Sequence, residues 1–327
     1  MSHTVLVTAP SLAPSGLAVL RGADCEVHFI SNRDGSAEVE ARLAAEPFDG
    51  VISRTVALTA KAIRSCPTLR VIVKHGAGVN NIDVAAATEC GIPVLFTPAT
   101  NAQSVSEMAI CLMLAVARGV GELDQMVRLG RWDRTRRSLQ LSGRRLGVLG
   151  FGQIGQRVAR AALGFGMHVQ VFDSGLKDPD GFAPITFATS LRSLLEASDV
   201  LTLHIPLTAK THHLIGAEQL AQLPQDAIVI NTARGEIIDE DALGRALASG
   251  HLYGAGLDTL SIEPIPADSP LLRLRNVILT PHIGGSTDEA LAAVSTAAAN
   301  YLVSFLNGAA VDSALCVNSE VLTRVKT

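Results

Sequence analysis

Three polar side chains in the second half of this chain have the types and placement to hold a carbonyl compound and pass it a proton. His282 stands in Thr280-Pro281-His282-Ile283-Gly284-Gly285, among small residues just past a short apolar run. Glu263 follows a Gly-rich run that also carries Asp258, in Gly256-Leu257-Asp258-Thr259-Leu260-Ser261-Ile262-Glu263-Pro264. Arg234 lies in Ile230-Asn231-Thr232-Ala233-Arg234-Gly235-Glu236. An imidazole titrating near neutrality suits protonation of a keto oxygen and, in reverse, removal of a hydroxyl proton. A carboxylate beside it would fix its tautomer and favour its protonated form. A guanidinium offers a permanently charged planar fork for a carboxylate or a polarised carbonyl oxygen. Taken singly, a strand-end histidine or a turn arginine is more often structural.

The set gains weight from a dinucleotide fingerprint upstream. Leu146-Gly147-Val148-Leu149-Gly150-Phe151-Gly152-Gln153-Ile154-Gly155 reads as G-x-G-x-x-G directly after a buried strand and opening a helix. Gly150 permits the tight turn, Gly152 lets backbone approach a pyrophosphate, and Gly155 allows close helix–strand packing. Gln153 and Ile154 begin the helix whose free N–H groups would face the phosphates. The next apolar run, Val169-Gln170-Val171-Phe172, ends in Asp173, at the spacing expected for a ribose-binding carboxylate. Such a carboxylate would repel a 2′-phosphate, and Ser174, Gly175 and Leu176 follow before any cation, Lys177. NAD is therefore expected rather than NADP.

These residues require a scaffold of parallel strands ending along one edge. Short apolar runs at 5–7, 26–30, 50–53, 70–73 and 93–96 alternate with helical patterns at 16–21, 37–45, 59–65 and 84–90. A long helical stretch is expected over 101–129, followed by a basic connector over 128–145. A second alternating series has strands at 145–150, 169–173, 200–204, 227–231, 254–258 and 277–280, and a last helix covers 287–305. This pattern predicts α/β architecture with two doubly wound parallel sheets. The expected domains are 1–99 plus 287–327, discontinuous, and 100–286.

Composition narrows the classes. A net charge of −4 gives no global reason to bind nucleic acid or an anionic membrane surface. Five scattered cysteines without a C-x-x-C pair argue against a disulfide framework or a metal site, and for a reducing compartment. No signal peptide is visible, and the apolar run 108–117 is about half the ~20 residues of a membrane span. A cytoplasmic protein is expected, with neither nucleic acid nor membrane as a partner.

Taken together, the fingerprint, Asn231-Thr232-Ala233-Arg234-Gly235, Gly256-Leu257-Asp258 with Glu263-Pro264, and Pro281-His282-Ile283-Gly284-Gly285 resemble the D-isomer-specific 2-hydroxyacid dehydrogenase family. The resemblance runs from Val51 to about Leu306. It implies a flavodoxin-like substrate domain and a Rossmann NAD-binding domain with an active-site cleft between them. It also implies NAD-dependent hydride transfer at C2 of a small D-2-hydroxy or 2-keto acid, with Arg234, Glu263 and His282 as the catalytic trio. Asp258 and the backbone around Thr232 would contact the nicotinamide carboxamide, and His204 and Pro206 would line the cofactor cleft. In Lys74-His75-Gly76-Ala77-Gly78-Val79-Asn80-Asn81 the backbone of Gly76, Gly78 and Val79 would hold the substrate carboxylate. Asn101 matches a polar hinge residue and is also a candidate cap for the helix after it.

Within the family, the resemblance is to the phosphoglycerate dehydrogenase and hydroxypyruvate or glyoxylate reductase branches. Arg54 and Lys74 match cations near a distal phosphate, and Arg134 matches one supplied by a neighbouring subunit. The phosphorylated acid, 3-phosphoglycerate, and its unphosphorylated relatives both remain open. Two rivals stay beside the reductase reading: formate dehydrogenase chemistry, and an NAD-sensing transcriptional partner. A homodimer through the NAD-binding domain is implied, which would give the apolar stretch 101–129 a partner.

Overall fold

The computed structural model describes residues 2–31, 35–176 and 181–323; Lys177 lies outside these. The chain divides into two compact units, residues 1–101 with 286–327, and residues 102–285. In chain order the first unit begins with β1 (Thr4–Val7), α1 (Pro14–Gly22), β2 (Glu26–Phe29), α2 (Ser36–Ala45) and β3 (Gly50–Ser53). It continues through α3 (Ala60–Ser65), β4 (Val71–Lys74), α4 (Val84–Glu89) and β5 (Val94–Phe96). The second unit runs α5 (Ala102–Arg118), α6 (Val120–Arg128), β6 (Arg145–Leu149), α7 (Gln153–Gly164), β7 (His168–Phe172) and β8 (Thr186–Phe187). It ends with α8 (Leu191–Glu196), β9 (Val200–Leu203), α9 (Ala217–Gln222), β10 (Ala227–Asn231), α10 (Glu240–Ala248), β11 (Leu252–Leu257) and β12 (Val277–Leu279). The long helix α11 (Asp288–Leu306) belongs to the first unit.

The first unit holds a five-stranded parallel sheet in the order β2-β1-β3-β4-β5, the flavodoxin-like winding. Strands β3 and β4 are buried on both faces, which is why Val51, Ile52, Val71, Ile72 and Val73 read as unbroken apolar runs. One face packs on α2, α3 and α4 through Val39, Leu43, Ile63 and Ala87. The other packs on α1 and α11 through Leu20, Ala298, Ala299 and Leu302. By length and composition α11 would suffice to cross a bilayer, a property the sequence reading passed over. Its buried face lies instead in this core, a use that a long apolar helix serves equally well.

The second unit holds a seven-stranded parallel sheet in the order β12-β11-β10-β9-β6-β7-β8. Counted within the unit this is the dinucleotide-binding order, reversing direction between β6 and β9. α5 and α7 cover one face, and α8, α9 and α10 the other. The expected single helix over 101–129 is two helices bent by 61°. Gly119 takes a left-handed φ of 63° at the break. A Cβ there would lie 1.9 Å from Arg136 Cζ, so the missing side chain makes room for a guanidinium. Arg136 Nε donates to Glu122 at 2.8 Å and its Nη1 to Tyr253 Oη at 3.2 Å, tying the extended connector to α6 and β11. The two-residue strand β8 was also not anticipated, being too short to carry a pattern.

Candidate active site

The second unit's site follows from strand register. Phe172, Leu149, Leu203, Asn231, Leu257 and Leu279 are paired across neighbouring strands and form one row. The next residue on each strand is Asp173, Gly150, His204, Thr232, Asp258 and Thr280. All strands being parallel, motifs far apart in sequence end on the same edge.

At the fingerprint, Gly150 turns at φ 95°, and a Cβ on Gly155 would lie 2.1 Å from the Gly150 carbonyl oxygen. Gly152 is the N-cap of α7 with no side chain capping it, and no acidic residue occupies the first turn. The N–H groups of that turn are thus left for an anion. Gln153 is exposed there and Ile154 half-buried. Asp173 is aimed by two backbone donors, Phe151 N–H at 2.7 Å and Gly175 N–H at 2.8 Å.

His204 places Nε2 2.9 Å from Thr202 Oγ1, and burial pushes its imidazole down to about 3, so it is neutral. Its Nδ1, Thr232 Oγ1 and Thr259 Oγ1 are buried with no protein partner among the described residues. Buried polar atoms are rarely left unmatched, so their clustering on this edge fits a polar ligand such as a dinucleotide. Pro206 is exposed just beyond, its carbonyl accepting from Thr211 Oγ1 at 2.7 Å.

His282 sits at a left-handed φ of 54°, with its N–H donated to the Asp258 carbonyl at 2.8 Å. The buried Asp258 carboxylate holds the same turn. Its Oδ1 accepts from Thr280 Oγ1 at 2.6 Å and Ile283 N–H at 3.0 Å, and its Oδ2 from Gly284 N–H at 2.8 Å. The family resemblance assigned Asp258 to the carboxamide; the structure shows it bracing the histidine turn.

His282 Nδ1 lies 2.9 Å from Glu263 Oε2, and the Glu263 Oε1 accepts from Leu260 N–H at 3.0 Å. Burial alone would raise the Glu263 carboxyl. Hydrogen bonds from His282 and Leu260, with the charges of His282 and Arg234, hold it below the ordinary value instead. Arg234 is largely buried, and its Nη1 donates to the Ala233 carbonyl at 2.6 Å. Asn231, to which the sequence reading assigned no role, braces this turn. Its Oδ1 accepts from Ala233 N–H at 2.9 Å and its Nδ2 donates to the Arg234 carbonyl at 2.8 Å. A short polar residue ending an apolar strand is the signal that could have revealed it.

In the first unit, residues 74–81 follow β4. The Gly76 N–H is spent on Thr97 Oγ1 at 2.8 Å, so Gly76 departs from the expected anion contact. The N–H groups of Ala77, Gly78 and Val79 have no acceptor among the described residues. The Lys74 ammonium points inward, to the Arg54 carbonyl and Asn81 Oδ1. Asn101 ends the first unit immediately before α5. Arg134 is exposed on the connector, and among the described residues it makes no ion pair. No group of three metal-ligating side chains occurs among the described residues.

Comparison with known proteins supplies the frame. The family described as "D-isomer specific 2-hydroxyacid dehydrogenase, NAD binding domain" matches residues 110–284, more than half the chain. A glyoxylate reductase of Korarchaeum cryptofilum is 39% identical over 77% of this chain and 77% of its own. A D-3-phosphoglycerate dehydrogenase of Methanocaldococcus jannaschii is 42% identical over 79% of this chain, which spans only 49% of that protein. The TT0316 protein of Thermus thermophilus has the same fold, with TM-score 0.85 and 37% identity over 94% of this chain and 97% of that one. The parallel sheets, the fingerprint and these likenesses agree: the chain belongs to the D-isomer-specific 2-hydroxyacid dehydrogenase family and is an NAD-dependent oxidoreductase.

Proposed function

We propose that this enzyme reduces a small, unphosphorylated 2-keto acid of the glyoxylate or hydroxypyruvate class, with His282 as proton donor. The observation carrying this reading is the His282–Glu263 pair, 44% and 40% exposed, on the strand-end edge that bears the fingerprint. NAD, when bound, supplies or accepts the hydride at C2. The Gly150–Gly155 turn would hold its diphosphate and Asp173 its adenosine ribose. Thr232, His204, Pro206 and Asp258 would lie on the nicotinamide side.

His282 would give its proton to the keto oxygen, and Glu263 would keep the imidazole oriented through Nδ1. Arg234 would hold the substrate carboxylate or polarise the carbonyl, its backbone turn braced by Asn231 and its guanidinium partly desolvated. In the first unit, Arg54 and the N–H groups of Gly78 and Val79 would take the carboxylate. Asn101 would add a polar contact.

The inward Lys74 supports an unphosphorylated substrate, because its donors are engaged by internal acceptors. The exposed Arg134 and the likeness to the M. jannaschii dehydrogenase favour a second reading, 3-phosphoglycerate. NADH oxidation with glyoxylate, hydroxypyruvate and phosphohydroxypyruvate decides between them. Higher kcat/KM with the first two is expected. A preference for the phosphorylated acid that disappears on removing Arg54 and Arg134 would select the second. NADH binding without turnover of any keto acid would favour a sensing role.

A homodimer through the NAD-binding domain is supported by a groove of about 720 Å³ lined by Gln125, Met126, Leu129, Tyr253, Leu272 and Leu279. Val120, Val127, Leu129, Trp132 and Leu272 stand exposed in the same region, an apolar patch that a second copy would cover. Four cations of the basic stretch are already paired, Arg128 with Asp124, Arg136 with Glu122, Arg137 with Asp226 and Arg145 with Asp199. That pairing supports no role in binding nucleic acid. The five free cysteines accord with a cytoplasmic location, and the packing of α11 in the first unit's core accords with no membrane partner.

A further inference from the structure

Behind the loop assigned to the substrate carboxylate lies a buried polar cluster with no part in the chemistry. Lys74, the last residue of β4, is 8% exposed. Its ammonium donates to the Arg54 carbonyl and to Asn81 Oδ1 at 2.5 Å. The Asn81 amide turns the other way, Nδ2 donating to Ser53 Oγ at 3.1 Å, the Arg54 carbonyl at 3.0 Å and the Val56 carbonyl at 2.8 Å. The Arg54 carbonyl therefore receives two donors, one of them charged, while its N–H is donated to Thr8 Oγ1 at 2.9 Å. Both sides of the Arg54 peptide are fixed, and so is the direction in which its side chain departs.

The loop is held from the same root. His75 Nε2 lies 2.9 Å from Ser295 Oγ of α11, and Gly76 exchanges hydrogen bonds with Thr97. Residues 74–76 are thus pinned on three sides, and the unmatched N–H groups begin only at Ala77. An apolar residue at 74 would leave Asn81 Oδ1 and one lone pair of the Arg54 carbonyl without their donor, a penalty buried groups rarely bear. A lysine here has the reach of a substrate contact, yet its ammonium is turned to the backbone it stabilises.

We propose that Lys74 and Asn81 form a clamp that positions Arg54, beside the adjoining anion loop, for a 2-keto-acid carboxylate, Lys74 acting without touching substrate. This rests on the reading of that loop as the carboxylate site. A positioning role acts on every substrate alike, whereas a phosphate contact acts only on phosphorylated ones.

The test is steady-state kinetics of the intact enzyme with glyoxylate and phosphohydroxypyruvate, alongside NADH titration. Lys74→Met should raise KM for both acids by about tenfold and in equal proportion, the size of one lost charge-assisted hydrogen bond. Its kcat should stay within about threefold, because the proton donor stands in the other unit. NADH affinity should not change. In an Arg54→Met background, Lys74→Met should lower kcat/KM by less than about twofold further, since its effect passes through Arg54.

Asn81→Ser should follow the same pattern and carries the test if Lys74→Met does not fold. A KM penalty confined to phosphohydroxypyruvate, losses that multiply independently with Arg54→Met, or an unchanged KM would each overturn the clamp alone. Failure of the unaltered enzyme to turn over either acid would overturn the functional reading, and the clamp with it.

Discussion

Two histidines close behind parallel strands have opposite surroundings. His282 follows β12, is 44% exposed at its side chain, and faces the Glu263 carboxylate at 2.9 Å. His75 follows β4 directly and is largely buried. Burial first, then the positive charge of Arg54 and more weakly that of Lys74, push its imidazole down to about 3. One ring has a carboxylate partner and stands open to solvent; the other is enclosed and held neutral. Residue type and strand-end position are shared, so the neighbours' charge and the access of water set the difference.

The sharpest break of this contrast is His282→Ala. Its kcat should fall by about 10²–10⁴-fold, the usual worth of a positioned acid, with NADH affinity retained. Turnover close to wild type would remove His282 as the proton donor. Glu263→Gln makes the surroundings of His282 more like those of His75, by deleting the negative partner. A loss of about 10–100-fold in kcat is expected, with NADH affinity retained. Turnover close to wild type would mean that the ring does not need Glu263 to hold it.

Asp258→Asn keeps the shape but turns an acceptor into a donor against Gly284 N–H or Thr280 Oγ1. It should cost about 1–3 kcal/mol of stability and about tenfold in kcat, read from thermal melts and initial rates. Unaltered melting would contradict the bracing role.

The smallest effect concerns His75. Its folded value lies near 3 against an ordinary 6.5, so the unfolded chain binds a proton that the folded chain declines. Stability from this group is complete above about pH 6.5 and is lost as pH falls toward 3. His75→Asn should flatten part of that decline while His204, with the same depressed value, preserves the rest. A melting temperature with the same pH slope in both proteins would show that His75 is not held neutral.

Much of the fold was open to reading because both sheets are buried on two faces. Runs such as Val71-Ile72-Val73 and Ala227-Ile228-Val229-Ile230 have no polar alternation to confuse with helix, and turns follow them at once. The failure at Gly119 has a local cause. A glycine in an Ala- and Leu-rich stretch is tolerated within a helix, and its left-handed φ and the Arg136 guanidinium packed beside it show only in the fold.

The motif residues were found because each stands just past an apolar run. Their partners were not, because Asn231, Asn81, Thr97 and Ser295 act through backbone groups or across long separations. The acceptors of Lys74 were hidden from the sequence for the same reason. A cation beside a glycine-rich loop looks like an anion contact until its acceptors are seen.

By itself, then, the sequence determined the alternating parallel architecture, the dinucleotide fingerprint and the placement of Arg234, Glu263 and His282 just past apolar runs. These depend on local patterns, which hydrophobic periodicity and glycine chemistry write directly into the chain. The tertiary structure decided what each polar side chain is spent on. Asp258 braces the His282 turn, His75 is kept neutral, and Lys74 secures the Arg54 backbone. The physical reason is that a hydrogen bond or charge is worth what its surroundings leave unsatisfied, and those surroundings come from distant segments brought together only by folding.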